Sequence, residues 1–469
     1  MTEIVPPRHD RRPEPLFGAA LFVVALVPRM VVALAWAREP VWDGHYYDFG
    51  ARRIAAGLGS SDDRSVGGLL VWHPWCHYPV GYSAFLAVFY RAFGASHAVA
   101  GVANALVGAA LAVVTWALAR YGLSPARARV AGLLVALHPG LILYAALVMS
   151  EPLAALLTIA AFFIAARDRD ARRGLAAGAI VLGIAALVRP QALLCAPFLA
   201  WVGARTARAR VPWAVAACAL ALLPVLPWTA RNCRVMDGCA LVSTNAGWNL
   251  AIGAFPRATG RFETLRSTDG CRDVTGQVQQ DRCWLRYGLE QIRERPWHWL
   301  SLVPAKLGFT FDHESFAVEY LHEAMPDAWP EVRRVGARDA TTLAHRLLVA
   351  AAALGCVAFP RRAASTRRAA AMQGGLLVVA AALGAIALSA DSPAFWPLAL
   401  FAATVPWLPV DGHPAFPPAL LLGVGLLATL VVTHAVFFGE DRYHMVVTPV
   451  LAMLAAGALR RAPPVRPPG

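Results

Sequence analysis

An all-α polytopic membrane fold is what this sequence predicts, and three observations predict it. Of 469 residues, 58% are hydrophobic and only 15% charged, an apolar share above that of an ordinary soluble domain. Apolar runs recur along the chain at the length, roughly 17–25 residues, that a ~30 Å hydrocarbon core demands. Between them, arginines gather at alternate connections, as the cytoplasmic face of a multi-span protein requires.

The runs, in order, are Leu16–Trp36, His97–Ala119, Ala126–Leu147, Pro152–Ala166, Gly174–Val188, Gln191–Gly203, Val211–Trp228, Thr341–Phe359, Met372–Ala390, Pro393–Pro409, Pro417–Phe438 and Val446–Leu459. That predicts a bundle of about twelve spans, some of them short. Ala35-Trp36-Ala37 after the basic start looks like a signal-peptide cleavage site, but the run before it exceeds a ~7–15-residue signal core, so the first span is read as uncleaved. The net charge of +14 does not point to nucleic acid, which needs its cations on one face. They are dispersed instead: Arg8, Arg11 and Arg12 before the first span, Arg120, Arg127 and Arg129 after the second, and further clusters to Arg460, Arg461 and Arg466. All fall on one side when the spans are counted, which puts both termini in the cytoplasm.

This divides the chain into a disordered cytoplasmic N-terminus (1–15), a transmembrane domain (16–459) and a cytoplasmic tail (460–469). Its two long loops, about 38–96 and 229–340, lie on the opposite side and are expected to carry short interfacial helices. In the first, Tyr47, Ile54 and Leu58 have helical spacing and predict a helix on the membrane surface, broken at Gly57 to Asp63. The aromatic stretch from Trp72 to Tyr82 suits the headgroup level. Cys233, Cys239, Cys271 and Cys283 all lie in the second loop. Disulfides are stable outside the reducing cytosol, so these four are disulfide candidates, with three possible pairings. His73, Cys76 and His77 have a spacing that admits a zinc ion, although Pro74 interrupts it and an aromatic interface loop explains the segment equally well.

Ionisable residues at the outer membrane edge mark where chemistry is to be sought. Asp43 follows the first span, in Trp42-Asp43-Gly44-His45-Tyr46-Tyr47. Glu151 opens the fourth in Ser150-Glu151-Pro152, where capping of the helix is its bland alternative. Arg189 stands alone on the outer side at Val188-Arg189-Pro190. Arg231, in Pro227-Trp228-Thr229-Ala230-Arg231-Asn232, begins the second loop; Lys306, the chain's only lysine, ends it; Arg442 lies in Asp441-Arg442-Tyr443-His444. Each cation also has a simpler reading, snorkelling to headgroups.

These motifs, with Tyr78-Pro79-Val80-Gly81-Tyr82 and the stretch from Ser243 to Gly253, resemble the GT-C superfamily of polyprenyl-phosphate-sugar-dependent membrane glycosyltransferases. The resemblance is to bacterial relatives of the protein O-mannosyltransferases and the lipid A aminoarabinose transferase, and it extends over almost the whole chain. It implies a GT-C-like catalytic bundle, a sugar donor on a polyprenyl phosphate and an active-site aspartate in the first loop. Many relatives have two adjacent acids there; here Gly44 follows Asp43, which weakens any two-carboxylate metal site at this point.

The expected function is therefore an integral glycosyltransferase of the cell envelope, mannosyltransferase-like, in the plasma (inner) membrane with its site on the extracytoplasmic side. It would move a sugar to a protein, lipid or glycan acceptor, with inversion. Asp43 would be the general base, Glu151 a second catalytic carboxylate, and Arg189, Arg231, Lys306 and Arg442 the phosphate-binding candidates. Tyr46, Tyr82, Asn245 and Asn249 are candidate substrate contacts, and a divalent cation is an open requirement. A multi-span transporter or lipid flippase without transfer chemistry is the alternative, although such proteins commonly show repeated halves, and no repeat is found here.

Overall fold

The computed structural model describes residues 14–168, 170–203, 207–358, 367–389, 394–410, 413–414 and 416–459. The expected terminal tails lie almost wholly outside the described residues. The fold is all-α, with two small antiparallel hairpins as its only sheets among the described residues.

Among the described residues, six helices are long and apolar enough to cross a membrane: α1 (Pro15–Trp36), α4 (His97–Ala119), α8 (Ala171–Val188), α17 (Glu331–Ala358), α18 (Arg367–Ser389) and α20 (Pro418–Val436). Two bent pairs raise this to eight: α5 (Pro125–Ala136) with the segment Pro139–Ala146, which contains α6 (Pro139–Leu143), and α10 (Ala207–Leu222) with α11 (Leu226–Val235). The chain is thus a multi-pass membrane protein, with fewer full-length crossings than the twelve apolar runs. The difference lies in the four remaining runs: that at 152–166 is a regular helix of only 17 residues, α7 (Glu151–Arg167), and the other three fold irregularly or short. The run expected at 191–203 is mostly 3₁₀ helix (Pro190–Leu199), and those near 393–409 and 446–459 hold only α19 (Trp396–Thr404) and α21 (Thr448–Ala458). Proline within or at the start of each removes an amide donor and interrupts the regular ladder.

The first bent pair shows how such a break is sustained inside an apolar bundle. Helix α5 ends at Ala136, and its last carbonyls have no partner of their own. Arg29, fully buried on α1, fills them: Nη1 donates to Ala136 O at 2.7 Å and Nη2 to Val135 O at 2.9 Å. Gly108 on α4 makes room, since a Cβ there would lie 2.5 Å from Arg29 Nε. An arginine in the middle of an apolar run marks a functional or structural need, and here the need is structural.

The first loop folds as expected in outline and differently in detail. A short helix α2 (Asp43–Ala55) is followed by a hairpin of β1 (Ser61–Val66) and β2 (Leu69–Pro74), which the aromatic composition did not reveal. Then comes α3 (Val80–Phe93), an amphipathic helix in a stretch read as loop. In the second loop, α12 (Ala246–Ala254) packs on α13 (Gln277–Glu294), and Asp281 accepts from the amides of Gly247 and Trp248 at the start of α12, at 2.8 and 3.1 Å. The four candidate cysteines pair as Cys233–Cys239 and Cys271–Cys283. Helices α14 (Pro296–Ser301), α15 (Val303–Phe311) and α16 (Phe316–Ala324) lead back to α17.

Candidate active site

The first acid is placed by an unusual turn. Trp42 has φ of +50°, the only non-glycine residue with positive φ among those described, and its ring packs edge-on against Tyr320, 5.7 Å between centroids. Held there, it starts α2 with Asp43 at the first helical position. Such strain persists only where packing over-determines it. Gly44 is explained by the same contact: a Cβ would meet Tyr320 Oη at 2.3 Å and Val148 O at 3.0 Å. Tight packing therefore excludes a second acid beside Asp43.

A cavity of about 440 Å³ opens beside this turn. Asp43, Glu151, Arg189 and Arg442 line its polar wall, while Leu193, Leu194, Phe437 and Phe438 give it an apolar flank. Asp43 accepts from Tyr78 Oη at 2.6 Å and from Arg442 Nη1 at 2.5 Å. Burial pushes its carboxyl up, but Arg442 and the Tyr78 hydrogen bond together outweigh that and hold it below the usual range. The ordinary alternative for Asp43, pairing with Arg52 or Arg53, is not what forms: Arg52 holds Asp48 and Arg53 holds Asp63.

Glu151 begins α7 (Glu151–Arg167) and is fully buried. Arg189, just past the end of α8, donates from Nη1 to Glu151 Oε1 at 2.6 Å and to Ser150 Oγ at 3.3 Å. Its guanidinium lies over the Tyr443 ring at 5.2 Å, and that of Arg442 lies over the same ring at 5.0 Å. Both cations that pair with the carboxylates thus contact the Tyr443 ring, which also stacks on His434 at 4.2 Å, and each gains from the ring.

The other sequence-predicted residues divide. Asn245 and Asn249 line the cavity. Tyr46 does not: it is half exposed and stacks on Trp75 and Tyr78, while its neighbour Tyr47 faces the cavity, because successive helical residues point about 100° apart. Tyr82 is buried behind Tyr47, donating to Asn104 Oδ1 at 2.9 Å, so it supports the wall rather than touching a substrate. Arg231 is turned to the first loop, where it donates to the carbonyls of Ser60 and Trp75 and lies over Trp228. Lys306 is buried and donates to Ala435 O and Val436 O, at 3.4 and 3.2 Å, the C-terminal carbonyls of α20. A cation is well placed at a helix C-terminus, and burial lowers this one to about 7. Two of the four phosphate candidates therefore sit in the cavity and two are structural. His73 pairs with Asp62 at 2.8 Å, and among the described residues His73, Cys76 and His77 do not form a metal-ligating group; His77 faces the cavity beside Trp248.

Sequence reasoning missed Glu440. Its Oε2 lies 2.5 Å from Arg442 Nε, without the alignment of a hydrogen bond, and burial pushes its carboxyl up to about 7. Its only sequence signal is adjacency to the Asp441-Arg442 motif. Because the folded value lies above the unfolded one, the folded chain binds the extra proton, and this contribution to stability is present below the unfolded value of 4.5 and lost as pH rises towards 7. Glu440→Gln is expected to remove that loss. Melting temperature measured from about pH 5 to about pH 7 should fall in the parent and stay flatter in the variant; parallel curves would contradict the assignment.

Residues 77–228 match the family model described as dolichyl-phosphate-mannose-protein mannosyltransferase. No curated protein sequence matches the chain. Among solved structures, it is similar to the archaeal oligosaccharyltransferase AglB from Archaeoglobus fulgidus in complex with an inhibitory peptide and a dolichol-phosphate. Identity is 13% and TM-score 0.42, with 95% of this chain and 50% of that one covered. It is also similar to ArnT from Cupriavidus metallidurans bound to undecaprenyl phosphate, at 16% identity and TM-score 0.37, covering 95% of this chain and 78% of that one. The chain spans about half the length of the archaeal protein. The family match covers about a third of the chain, a stretch that holds Tyr78, Glu151 and Arg189, and over that stretch the chain is similar to the dolichyl-phosphate-mannose-protein mannosyltransferases.

Proposed function

We propose that the cavity transfers a sugar from a polyprenyl-phosphate donor to an acceptor on the extracytoplasmic face of the plasma membrane, with inversion at the anomeric carbon. The observation that carries this reading is the convergence of Asp43, Glu151, Arg189 and Arg442, from four separate segments, on one cavity that Leu193, Leu194, Phe437 and Phe438 also line. An apolar flank suits a prenyl chain, and a wall of fixed cations suits the phosphate that joins it to the sugar.

The acceptor oxygen attacks the anomeric carbon and the bond from that carbon to the phosphate oxygen breaks. The electron pair departs on the phosphate, and the acceptor proton passes to Asp43. A phosphate is a stable anion and leaves without general-acid help, whereas the acceptor gains from a positioned base, typically ~10²–10⁴-fold. Asp43 is ionised by its partners and therefore ready to accept, although the same partners make it a weaker base. Arg189 holds Glu151 and Ser150 through Nη1, which leaves its Nε and Nη2 for phosphate oxygens in the planar geometry that arginine offers. Arg442 neutralises Asp43 before substrate arrives and meets the growing charge as the phosphate leaves. Asn245 and Asn249 stand where sugar hydroxyls would be bound.

Purified protein in lipid, incubated with labelled polyprenyl-phosphate sugars with and without chelator, tests the reading. One donor should be consumed and its lipid phosphate released. If no lipid-phosphate sugar is turned over, the transferase reading falls and a transporter or flippase takes its place.

A further inference from the structure

A second polar cluster lies behind the cavity wall, in the core. Glu314 sits between α15 and α16, His345 on α17, and His444 in the 3₁₀ turn Asp441–Val446. All three are buried, and their ligand atoms lie within 4.8 Å of one another. Glu314 Oε2 is 3.0 Å from His444 Nε2 and 3.9 Å from His345 Nδ1, and the two imidazoles stack with centroids 3.8 Å apart.

The hydrogen bonds on the far side of each ring decide the tautomers. His444 Nδ1 is 2.7 Å from Thr310 O, and His345 Nε2 is 2.9 Å from Phe311 O. A carbonyl only accepts, so in each ring that nitrogen carries the proton. The opposite nitrogens, His444 Nε2 and His345 Nδ1, then present lone pairs to a carboxylate that also only accepts. Three acceptors converge, the nearest further donor, His138 Nε2, stands 3.7 Å from Glu314 Oε2 and is out of hydrogen-bond reach, and His345 Nδ1 and Glu314 Oε1 are buried without any hydrogen-bond partner. Such an arrangement is costly unless a positive charge joins it.

We propose that Glu314, His345 and His444 bind a divalent cation of the zinc class. Two imidazole nitrogens and one carboxylate oxygen are a zinc donor set, with bonds of roughly 2.0–2.2 Å. Tetrahedral angles at such bonds put ligand atoms about 3–4 Å apart, the spacing observed for both pairs that involve Glu314. The backbone carbonyls behind the rings are the orienting partners that metal-bound histidines ordinarily have. His138 does not satisfy the carboxylate: its Nδ1 accepts from Leu141 N at 3.4 Å, so its Nε2 carries the proton, and that nitrogen stands 3.7 Å from Glu314 Oε2 without a hydrogen bond. Thr341 and Thr342, which both donate to Glu314 O, fix the segment that presents the carboxylate.

The site joins α17 to the turn that holds Arg442, two residues before His444. Asp441 ties the same turn to the amides of Ser315 and Phe316. The cation therefore braces the segment that brings Arg442 to Asp43, without itself touching the cavity.

The test uses the full-length protein in detergent and is independent of the transferase reading, because its readouts are metal content and melting temperature. Elemental analysis should find about one zinc per chain. Chelation should lower the melting temperature and added Zn(II) restore it. Glu314→Gln and His345→Gln should weaken zinc binding by at least about 100-fold, the upper end of what loss of an orienting partner alone costs. Should either variant fail to fold, Co(II) added to the stripped parent protein decides, by the presence of the absorption of a four-coordinate nitrogen–oxygen site. Absence of bound metal together with a melting temperature indifferent to Zn(II) would overturn the proposal and leave a proton on His444 as the charge. Zinc that binds unchanged in both variants would overturn it as well.

Discussion

Asp43→Asn is expected to lower the transfer rate by ~10²–10⁴-fold, the usual contribution of a positioned base, while donor binding changes far less. The substitution keeps the size of the side chain and one acceptor oxygen, so of the two contacts, 2.6 Å from Tyr78 to Oδ1 and 2.5 Å from Arg442 to Oδ2, one is kept and the other meets an NH2 donor. It removes the carboxylate at the start of α2 that is proposed to take the acceptor proton. A kcat drop at nearly constant KM is the signature of an interaction made in the transition state. A variant that transfers sugar at the parental rate would sink the general-base role, and with donor binding intact it would leave Arg442 and Arg189 as the chemical centre. A Tyr78→Phe control separates the two effects, since it removes only the 2.6 Å hydrogen bond and should change the rate modestly.

The largest effect on stability is expected from Glu151→Ala. Glu151 is fully buried and Arg189 only slightly exposed, and the two meet at 2.6 Å. Removing one member of such a pair leaves the other charge without compensation, at a cost of about 3–5 kcal/mol when water is excluded. Water in the cavity reaches part of Arg189, so about 3 kcal/mol is the expectation here. The measurement is thermal unfolding of the purified protein. The double variant Glu151→Ala with Arg189→Met should recover much of the loss, because it removes both charges rather than one. If the single variant unfolds at the parental temperature, the pair is not a buried ion pair in solution. If the double variant is as unstable as the single one, the loss comes from packing and not from charge.

Much of this was legible in the chain. Helix α4 occupies His97–Ala119 as the apolar run predicts, and α20 and α8 differ from their runs by a few residues. These helices are uniformly apolar, so composition alone locates them. Where proline divides a run, as at Pro139 and Pro197, length stops being a guide, and bent pairs or 3₁₀ segments replace single spans. The site residues followed a similar division. Asp43, Glu151, Arg189 and Arg442, which line one cavity, were visible as isolated charges at the ends of apolar runs, where an ion needs a reason. Arg231 and Lys306 met the same criterion, yet their partners are backbone carbonyls reached only after folding. Tyr46 and Tyr47 were indistinguishable by type, and helical rotation alone assigns the cavity to the second.

Glu314, His345 and His444 mark the limit of the sequence. They are 31 and 99 residues apart in turn, with no motif spacing between them, and only the packing of α17 against the turn at 441–446 brings their lone pairs together. What the amino-acid order determined was the solvent each segment prefers: apolar runs for the bilayer, and charges for the connections between them. What the tertiary structure decided was which of those charges face one another, because pairing distance depends on the joint placement of segments hundreds of residues apart, and no local pattern encodes it.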